Sequence, residues 1–260
     1  MIYVCIPSFD EASTVGLLLW KIRRVFGEFP REYQLLVADD GSSDHTAELL
    51  EPYAKVLPLT VVRHGTRQGY AASVEELLRL ALERTDRPKR DCAVLMHADF
   101  SHGPDMIPEF VRRIESGADL VIGEATLAGE PSRGQRWLRR GAPWLLRGRL
   151  GVPGVRDIVS GFGAMRLVCL RNAIRAQAGP LLSAGDSWVA NAELYARLAH
   201  HARRIEAVPV VERHDLRPRA ARRTAWVAAR SIWQAGRGLR VPMAPPPKPS
   251  VGTEQPAGAA

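Results

Sequence analysis

Short apolar runs alternate along the first half of the chain with stretches of helical periodicity. The runs Ile2–Ile6, Leu35–Ala38, Leu59–Val62, Cys92–Met96 and Leu120–Ile122 are continuous rather than alternating. That is the pattern of strands buried on both faces. Between them, Val15, Leu18, Leu19, Ile22, Val25 and Phe26 share one helical face, as do Val74, Leu77, Leu78 and Ala81. Ile107, Phe110, Val111 and Ile114 form a third such face. Strand alternating with helix predicts a mostly parallel sheet covered on both sides. Ligands of such sheets bind beyond the carboxyl ends of the strands.

Polar residues follow three of the predicted strands. Ile6 leads into Pro7-Ser8-Phe9-Asp10-Glu11, and Ala38 into Asp39-Asp40-Gly41-Ser42-Ser43-Asp44. Met96 leads into His97-Ala98-Asp99-Phe100-Ser101-His102. Turns and helix caps use the same residue types, so a lone Asp here would mean little. Repeated acidic clusters at three strand ends point instead to one acidic rim. A divalent cation shared with a diphosphate would satisfy such a rim. Asp99 is the leading oxygen ligand, and His97 suits a borderline ion such as Mn²⁺. Asp10, Asp39 and Asp40 are placed to accept hydrogen bonds from a base or ribose. No Walker loop occurs, and no G-x-G-x-x-G follows the first strand, which argues against a dinucleotide dehydrogenase.

The alternation breaks after Gly123. A Gly-rich stretch, Ser160-Gly161-Phe162-Gly163, is followed by an expected helix from about Trp188 to His201 and an expected strand over Ile205–Val211. Charge adds a second feature. Six Arg and no acid lie between Pro131 and Gly154, and seven Arg and no acid between Arg217 and Arg240. Setting those thirteen aside leaves 23 basic against 28 acidic residues, so the net +8 becomes −5. A mildly acidic body with two basic, Trp-containing patches implies a localised anionic partner. Solvated helices, an anionic membrane surface and nucleic acid are the readings for those patches, and the acidic rim argues against nucleic acid. The chain divides into a main α/β domain over 1–215, a basic amphipathic helix over 216–241 and a disordered tail over 242–260 with six prolines.

Three separated cysteines, Cys5, Cys92 and Cys169, lack metal-ligand spacing and read as buried thiols in a reducing cytoplasm. Met1–Ile6 runs directly into a strand with no basic start or cleavage site, so no secretory signal is expected.

These motifs resemble family 2 glycosyltransferases of the GT-A fold, and among them the dolichyl- or polyprenyl-phosphate sugar synthases. Ile6-Pro7-Ser8-Phe9-Asp10-Glu11 resembles I-P-x-Y-N-E, and Val37–Asp44 resembles V-V-D-D-G-S-x-D. Arg63, Arg67 and Gly69 resemble the family's basic loop after the third strand. His97–Pro104 resembles the metal motif D-A-D-L-x-H-x-P, with His97 replacing its first Asp. Asp119–Gly123 resembles D-L-V-I-G, and Arg156–Phe162 resembles R-D-x-x-S-G-F. Glu193-Leu194 and Val208-Pro209-Val210 resemble later elements. The chain departs at Glu124-Ala125-Thr126, where S-R-Y is usual, and at Gly163, where an Arg is usual.

The resemblance implies a Rossmann-like three-layer α/β sandwich with a mostly parallel central sheet. It implies an inverting transferase moving a sugar from a nucleotide-diphosphate donor to a polyprenyl phosphate. A glycan or small-molecule hydroxyl as acceptor, and a non-catalytic nucleotide-sugar scaffold, stand as alternatives. The expected catalytic set is Asp99, Asp157, Arg166 and Glu193. Substrate is expected at Pro7, Ser8, Asp10, Glu11, Asp39, Asp40, Gly41, Ser42, Arg63, Arg67, Gly69, Ala98, Ser160 and Gly161. A divalent cation, Mn²⁺ or Mg²⁺, is expected on Asp99, His97 and Ser101. Asp157, Ser160 and Arg166 equally fit a structural ion pair and turn, and Glu193 faces either the site or solvent. The implied location is peripheral, on the cytoplasmic face of a membrane.

Overall fold

A computed structural model describes residues 1–128, 141, 150, 152–183 and 187–213. The two basic stretches lie wholly or largely outside these residues. The expected C-terminal helix and the tail fall entirely outside them.

The described elements run β1 (Ile2–Ser8), α1 (Val15–Glu28), β2 (Tyr33–Asp39), α2 (Thr46–Ala54), β3 (Leu59–Arg63) and α3 (Tyr70–Arg84). There follow β4 (Cys92–Leu95), a short 3-10 turn (Pro104–Met106), α4 (Ile107–Glu115), β5 (Leu120–Ala128) and β6 (Gly163–Arg166). The last three are α5 (Leu167–Arg175), α6 (Ser187–Ala199) and β7 (Ile205–Arg213). One seven-stranded sheet takes the order β3-β2-β1-β4-β6-β5-β7. Every neighbouring pair is parallel except those that involve β6, which runs antiparallel to both β4 and β5.

Each face of the sheet carries its own core. On one, Ile2, Val4, Ile6, Leu35, Val37 and Val94 meet the buried stripe of α1, Leu50 of α2, and Phe110 and Ile114 of α4. On the other, Tyr3, Cys5, Leu36, Ala93 and Leu95 meet Val74, Leu77 and Leu78 of α3, Leu170 of α5 and most of α6. Successive strand residues thus point into opposite cores, which is why the runs read as continuously apolar. Full burial of each such aliphatic side chain contributes about 1.5–3 kcal/mol. All three cysteines are free and buried within these layers. Burial pushes the thiols of Cys92 and Cys169 up to about 12, so they are inert packing groups.

Register aligns the strand ends. Ser8 pairs with Asp39, and Asp39 with Arg63, so the chain leaves β1, β2 and β3 along one edge. The antiparallel β6 starts at that edge, where Gly163 pairs with Leu95 and Ile122. It ends at the opposite edge, where Arg166 pairs with Cys92. Gly163 is obligatory: a Cβ there would stand 2.5 Å from the Val121 carbonyl and 3.1 Å from the Tyr195 hydroxyl. No arginine fits at that point of the strand.

Candidate active site

The loops after β1 and β2 are tied together by their own side chains. Asp10 holds a left-handed backbone with φ of 53°, a conformation that Asp tolerates better than most residues. Its amide donates to Ser42 Oγ at 2.9 Å, and its Oδ1 accepts from Ser43 N at 2.7 Å and Ser43 Oγ at 3.1 Å. Glu11 N donates to Thr46 Oγ1 at 2.9 Å, and Ala12 N to Asp44 Oδ2 at 3.2 Å. Asp39 Oδ1 accepts the Ser42 amide at 3.2 Å. This cross-lacing carries Pro7, Ser8, Asp10, Glu11, Asp39 and Ser42 to a single edge.

Asp40 organises the next loop inward. It is nearly fully buried. Its Oδ1 accepts the Gln68 amide at 2.7 Å and lies 2.8 Å from His64 Nδ1, and its Oδ2 accepts the Gly69 amide at 2.9 Å. The far nitrogen of His64, Nε2, sits 2.6 Å from Glu76 Oε2 on α3. Burial alone pulls His64 downward, but the hydrogen bonds and charges of Glu76 and Asp40 outweigh it and hold the imidazole above its usual value. Gly41, at φ of 66°, comes so close that a Cβ would stand 2.9 Å from the Arg67 amide. Arg67 stacks its guanidinium 4.0 Å over the Phe9 ring and brings Nε within 3.8 Å of Asp40 Oδ2. Arg63 Nε lies 3.8 Å from Asp39 Oδ2. Two exposed arginines therefore border the acidic pair.

The end of β4 brings up the third cluster. Asp99 Oδ1 accepts the Ser101 amide at 3.0 Å, which fixes the carboxylate at the strand end. Phe100 between them adopts φ of 60°, uncommon for an aromatic residue and a mark of a tightly determined turn. Ser101 is buried, with its Oγ 3.1 Å from His102 Nδ1, and its carbonyl accepts the Arg213 amide of β7 at 2.8 Å. His97 stacks on Tyr70, ring centres 5.3 Å apart. The Tyr70 hydroxyl donates to Asn191 Oδ1 at 2.8 Å, and Asn191 Nδ2 donates to the Val159 carbonyl at 3.1 Å. Gly161, at φ of 66°, completes this packing, because a Cβ would stand 2.5 Å from His97 Nε2 and closer still to Asn191 Nδ2. Ser160 Oγ donates to the Gly123 carbonyl at 2.7 Å.

The structure places three of the expected catalytic residues in hydrogen-bond networks. Arg166 is corrected outright: it lies at the opposite edge of the sheet from Asp99. There its Nε donates to Asp119 Oδ1 at 3.1 Å, and its Nη atoms donate to the carbonyls of Lys89, Ile114 and Ala118. Asp157 accepts from the amides of Ala125 and Val159, both at 3.0 Å, which sews the 156–160 segment to β5. Glu193 faces neither solvent nor an open cleft. It is fully buried and accepts from Ser183 N at 2.9 Å, Ser183 Oγ at 2.8 Å and Arg197 Nη2 at 2.6 Å. His64, Tyr70 and Asn191 belong to the site region without having been singled out from the sequence. His64 carried the one available signal, since it lies between Arg63 and Arg67 directly after β3.

The Glycosyl transferase family 2 model matches residues 3–172, which span every rim motif through Gly161. The chain belongs to this family. It is 29% identical over 172 residues to a dolichol-phosphate mannosyltransferase of Pyrococcus furiosus, covering 63% of this chain and 45% of that protein. It is 31% identical over 169 residues to a polyprenol monophosphomannose synthase of Mycolicibacterium smegmatis, covering 63% and 60%. The match thus spans about half the length of these relatives. Among solved structures, the glucosyl-3-phosphoglycerate synthase of Mycobacterium tuberculosis with Mn²⁺, UDP and glucosyl-3-phosphoglycerate superimposes with a TM-score of 0.60 at 20% identity, over 90% of this chain and 76% of that one. A mannosyltransferase of Pyrobaculum calidifontis with GDP-mannose and Mn²⁺ gives 0.59 at 20% identity, over 93% and 65%. These neighbours establish the GT-A fold of this family 2 chain, as its motifs led one to expect.

Proposed function

We propose that this family 2 chain is a glycosyltransferase that moves a sugar, with inversion, from a nucleotide-diphosphate donor to a polyprenyl phosphate. The observation that carries the reading is the convergence of the Asp39-Asp40 and His97-Ala98-Asp99 motifs on one sheet edge. Asp10 and Asp39 receive the base and ribose, and the Asp40 loop presents Arg63 and Arg67 beside them. The two mannosyltransferase relatives named for dolichol and polyprenol support a lipid-phosphate acceptor.

A divalent cation fits Asp99 in a particular way. Its carboxylate is held by the Ser101 amide, and His97 stands two residues before it. Among the described residues no group of three or more His, Cys, Asp or Glu side chains is arranged to hold an ion. Asp99, with His97 and Ser101 beside it, would hold the ion against the donor's diphosphate. The bound ion would lower the charge of the leaving diphosphate. The chain's own part is to orient: the β1–β2 lacing fixes the nucleoside, and Gly161 leaves room for His97 next to the transferred group. An ionised phosphate acceptor attacks the anomeric carbon without a protein base, so no proton need be removed.

No helix among the described residues is long and apolar enough to cross a membrane. Contact with a lipid surface therefore falls to the basic stretches, both of which carry Trp and no acid. The test is transfer of radiolabelled sugar from GDP-mannose, UDP-glucose and UDP-GlcNAc to polyprenyl phosphate in anionic vesicles. Labelled lipid should form with one donor, and Asp99→Ala should abolish it. Full turnover by Asp99→Ala would remove the metal role, and no product from any donor would overturn the transfer reading.

A further inference from the structure

His64 is 8% exposed and sits between two carboxylates. Its Nδ1 is 2.8 Å from Asp40 Oδ1 and its Nε2 is 2.6 Å from Glu76 Oε2. Ionised carboxylates only accept hydrogen bonds, so both ring nitrogens must donate, and that requires the imidazolium. A neutral ring would satisfy one carboxylate and turn a lone pair on the other. The charge is also needed on electrostatic grounds, because the Asp40 side chain is only 5% exposed and its nearest arginine nitrogen, Arg67 Nε, stays 3.8 Å away.

We propose that His64 is a positioning residue for the nucleotide site, holding Asp40 as an imidazolium so that the 64–69 loop closes against the end of β2. The inference rests on the transferase reading above. Asp40 accepts both the Gln68 and Gly69 amides, and these define the loop that carries Arg67 and starts α3. When His64 loses its proton, one of its ring nitrogens stops donating and turns a lone pair on the carboxylate it faces, which weakens the hold of the Asp40–His64–Glu76 chain on the loop that carries Arg67. The charged groups around the imidazole are Asp40 from β2, Glu76 from α3, Arg67 from its own loop, and the Asp39–Arg63 pair, whose Asp39 carbonyl accepts the His64 amide. The two carboxylates in direct contact raise the proton affinity of the ring more than burial lowers it. Nucleotide affinity should therefore decline at alkaline rather than acid pH.

The test titrates UDP, GDP, dTDP and CDP, with Mn²⁺, into wild type, His64→Gln and Glu76→Gln between pH 7 and 8.5, below the range in which the nucleobases lose a proton. In parallel, ¹⁵N-imidazole spectra, assigned by loss of the His64 signal in His64→Gln, report whether both ring nitrogens are protonated. Wild type should show a doubly protonated His64 at pH 7 and an affinity that falls about tenfold as that signal titrates, in line with loss of a charged hydrogen bond. His64→Gln should bind about tenfold more weakly at pH 7 with a flat profile. Glu76→Gln, which leaves Asp40 and the fold in place, should move the same fall to lower pH. A His64 that is neutral at pH 7, or a His64→Gln protein with wild-type affinity and profile, would overturn the positioning role alone. Wild type that binds none of the four diphosphates would overturn the transferase reading, and this role with it.

Discussion

The two edges of the sheet use carboxylates in opposite ways. At the lower edge Asp119 is met by a resident cation, with Arg166 Nε at 3.1 Å and the same guanidinium bonded to three carbonyls. Asp91 there accepts the N-terminal amine at 2.9 Å. At the upper edge Asp10, Asp39, Asp40 and Asp99 accept backbone amides of neighbouring loops at 2.7–3.2 Å, and the nearest arginine nitrogens to Asp39 and Asp40 stand 3.8 Å off. A carboxylate closed by an arginine fixes the sheet. A carboxylate closed by amides fixes loops. Residue type is alike at the two edges and the partner differs: a guanidinium at one, backbone amides and the His64 imidazole at the other.

The strongest way to break the comparison is Arg166→Ala. It takes the guanidinium from Asp119 and from three carbonyls, and unfolding in urea should show a loss of about 3–5 kcal/mol. Nucleotide affinity of the folded fraction should be unchanged. A loss of affinity without a loss of stability would return Arg166 to the site. At the upper edge Asp40→Ala should cost less, about 1–3 kcal/mol, but should weaken UDP or GDP binding sharply, as seen by calorimetry. Gly41→Ala sharpens the same point through the backbone alone. Its φ of 66° and the 2.9 Å approach to Arg67 N should make it about 1–2 kcal/mol less stable by thermal melting, with a displaced 64–69 loop.

The smallest effect is a pH slope. His64 is raised in the folded state, so its contribution to stability is full below the unfolded imidazole value of about 6.5. That contribution is lost as pH rises through the folded value. Urea midpoints of wild type measured from pH 6 to 9 should fall relative to those of His64→Gln. Parallel lines for the two proteins would mean the imidazole carries no such charge.

Much of this was legible in the sequence. The strands β1 to β5 and the helices α1, α3 and α4 follow from apolar runs and period, because each packs against a complete core. β6 was not legible: Gly163-Ala164-Met165-Arg166 is too short and too mixed to read as a strand, and it exists because β4 and β5 pair with it on both sides. That omission explains the misplacement of Arg166. Three residues of extended chain carry it about 10 Å from Gly163, towards the wrong edge. The rim residues themselves were readable because strand-end position and residue type agree. Tyr70 and Asn191 were not, since their roles come from a contact between elements 121 positions apart in the chain.

The central question is whether the upper edge receives a metal-bound nucleotide diphosphate. Thermal denaturation of wild type and Asp99→Ala with GDP, UDP, dTDP and CDP, each with and without Mn²⁺ or Mg²⁺, tests this most directly, since a ligand of the folded state raises the midpoint by mass action. The account predicts a midpoint rise with one diphosphate that requires metal and vanishes in Asp99→Ala. A rise that ignores both the metal and Asp99, or no rise with any diphosphate, would contradict it.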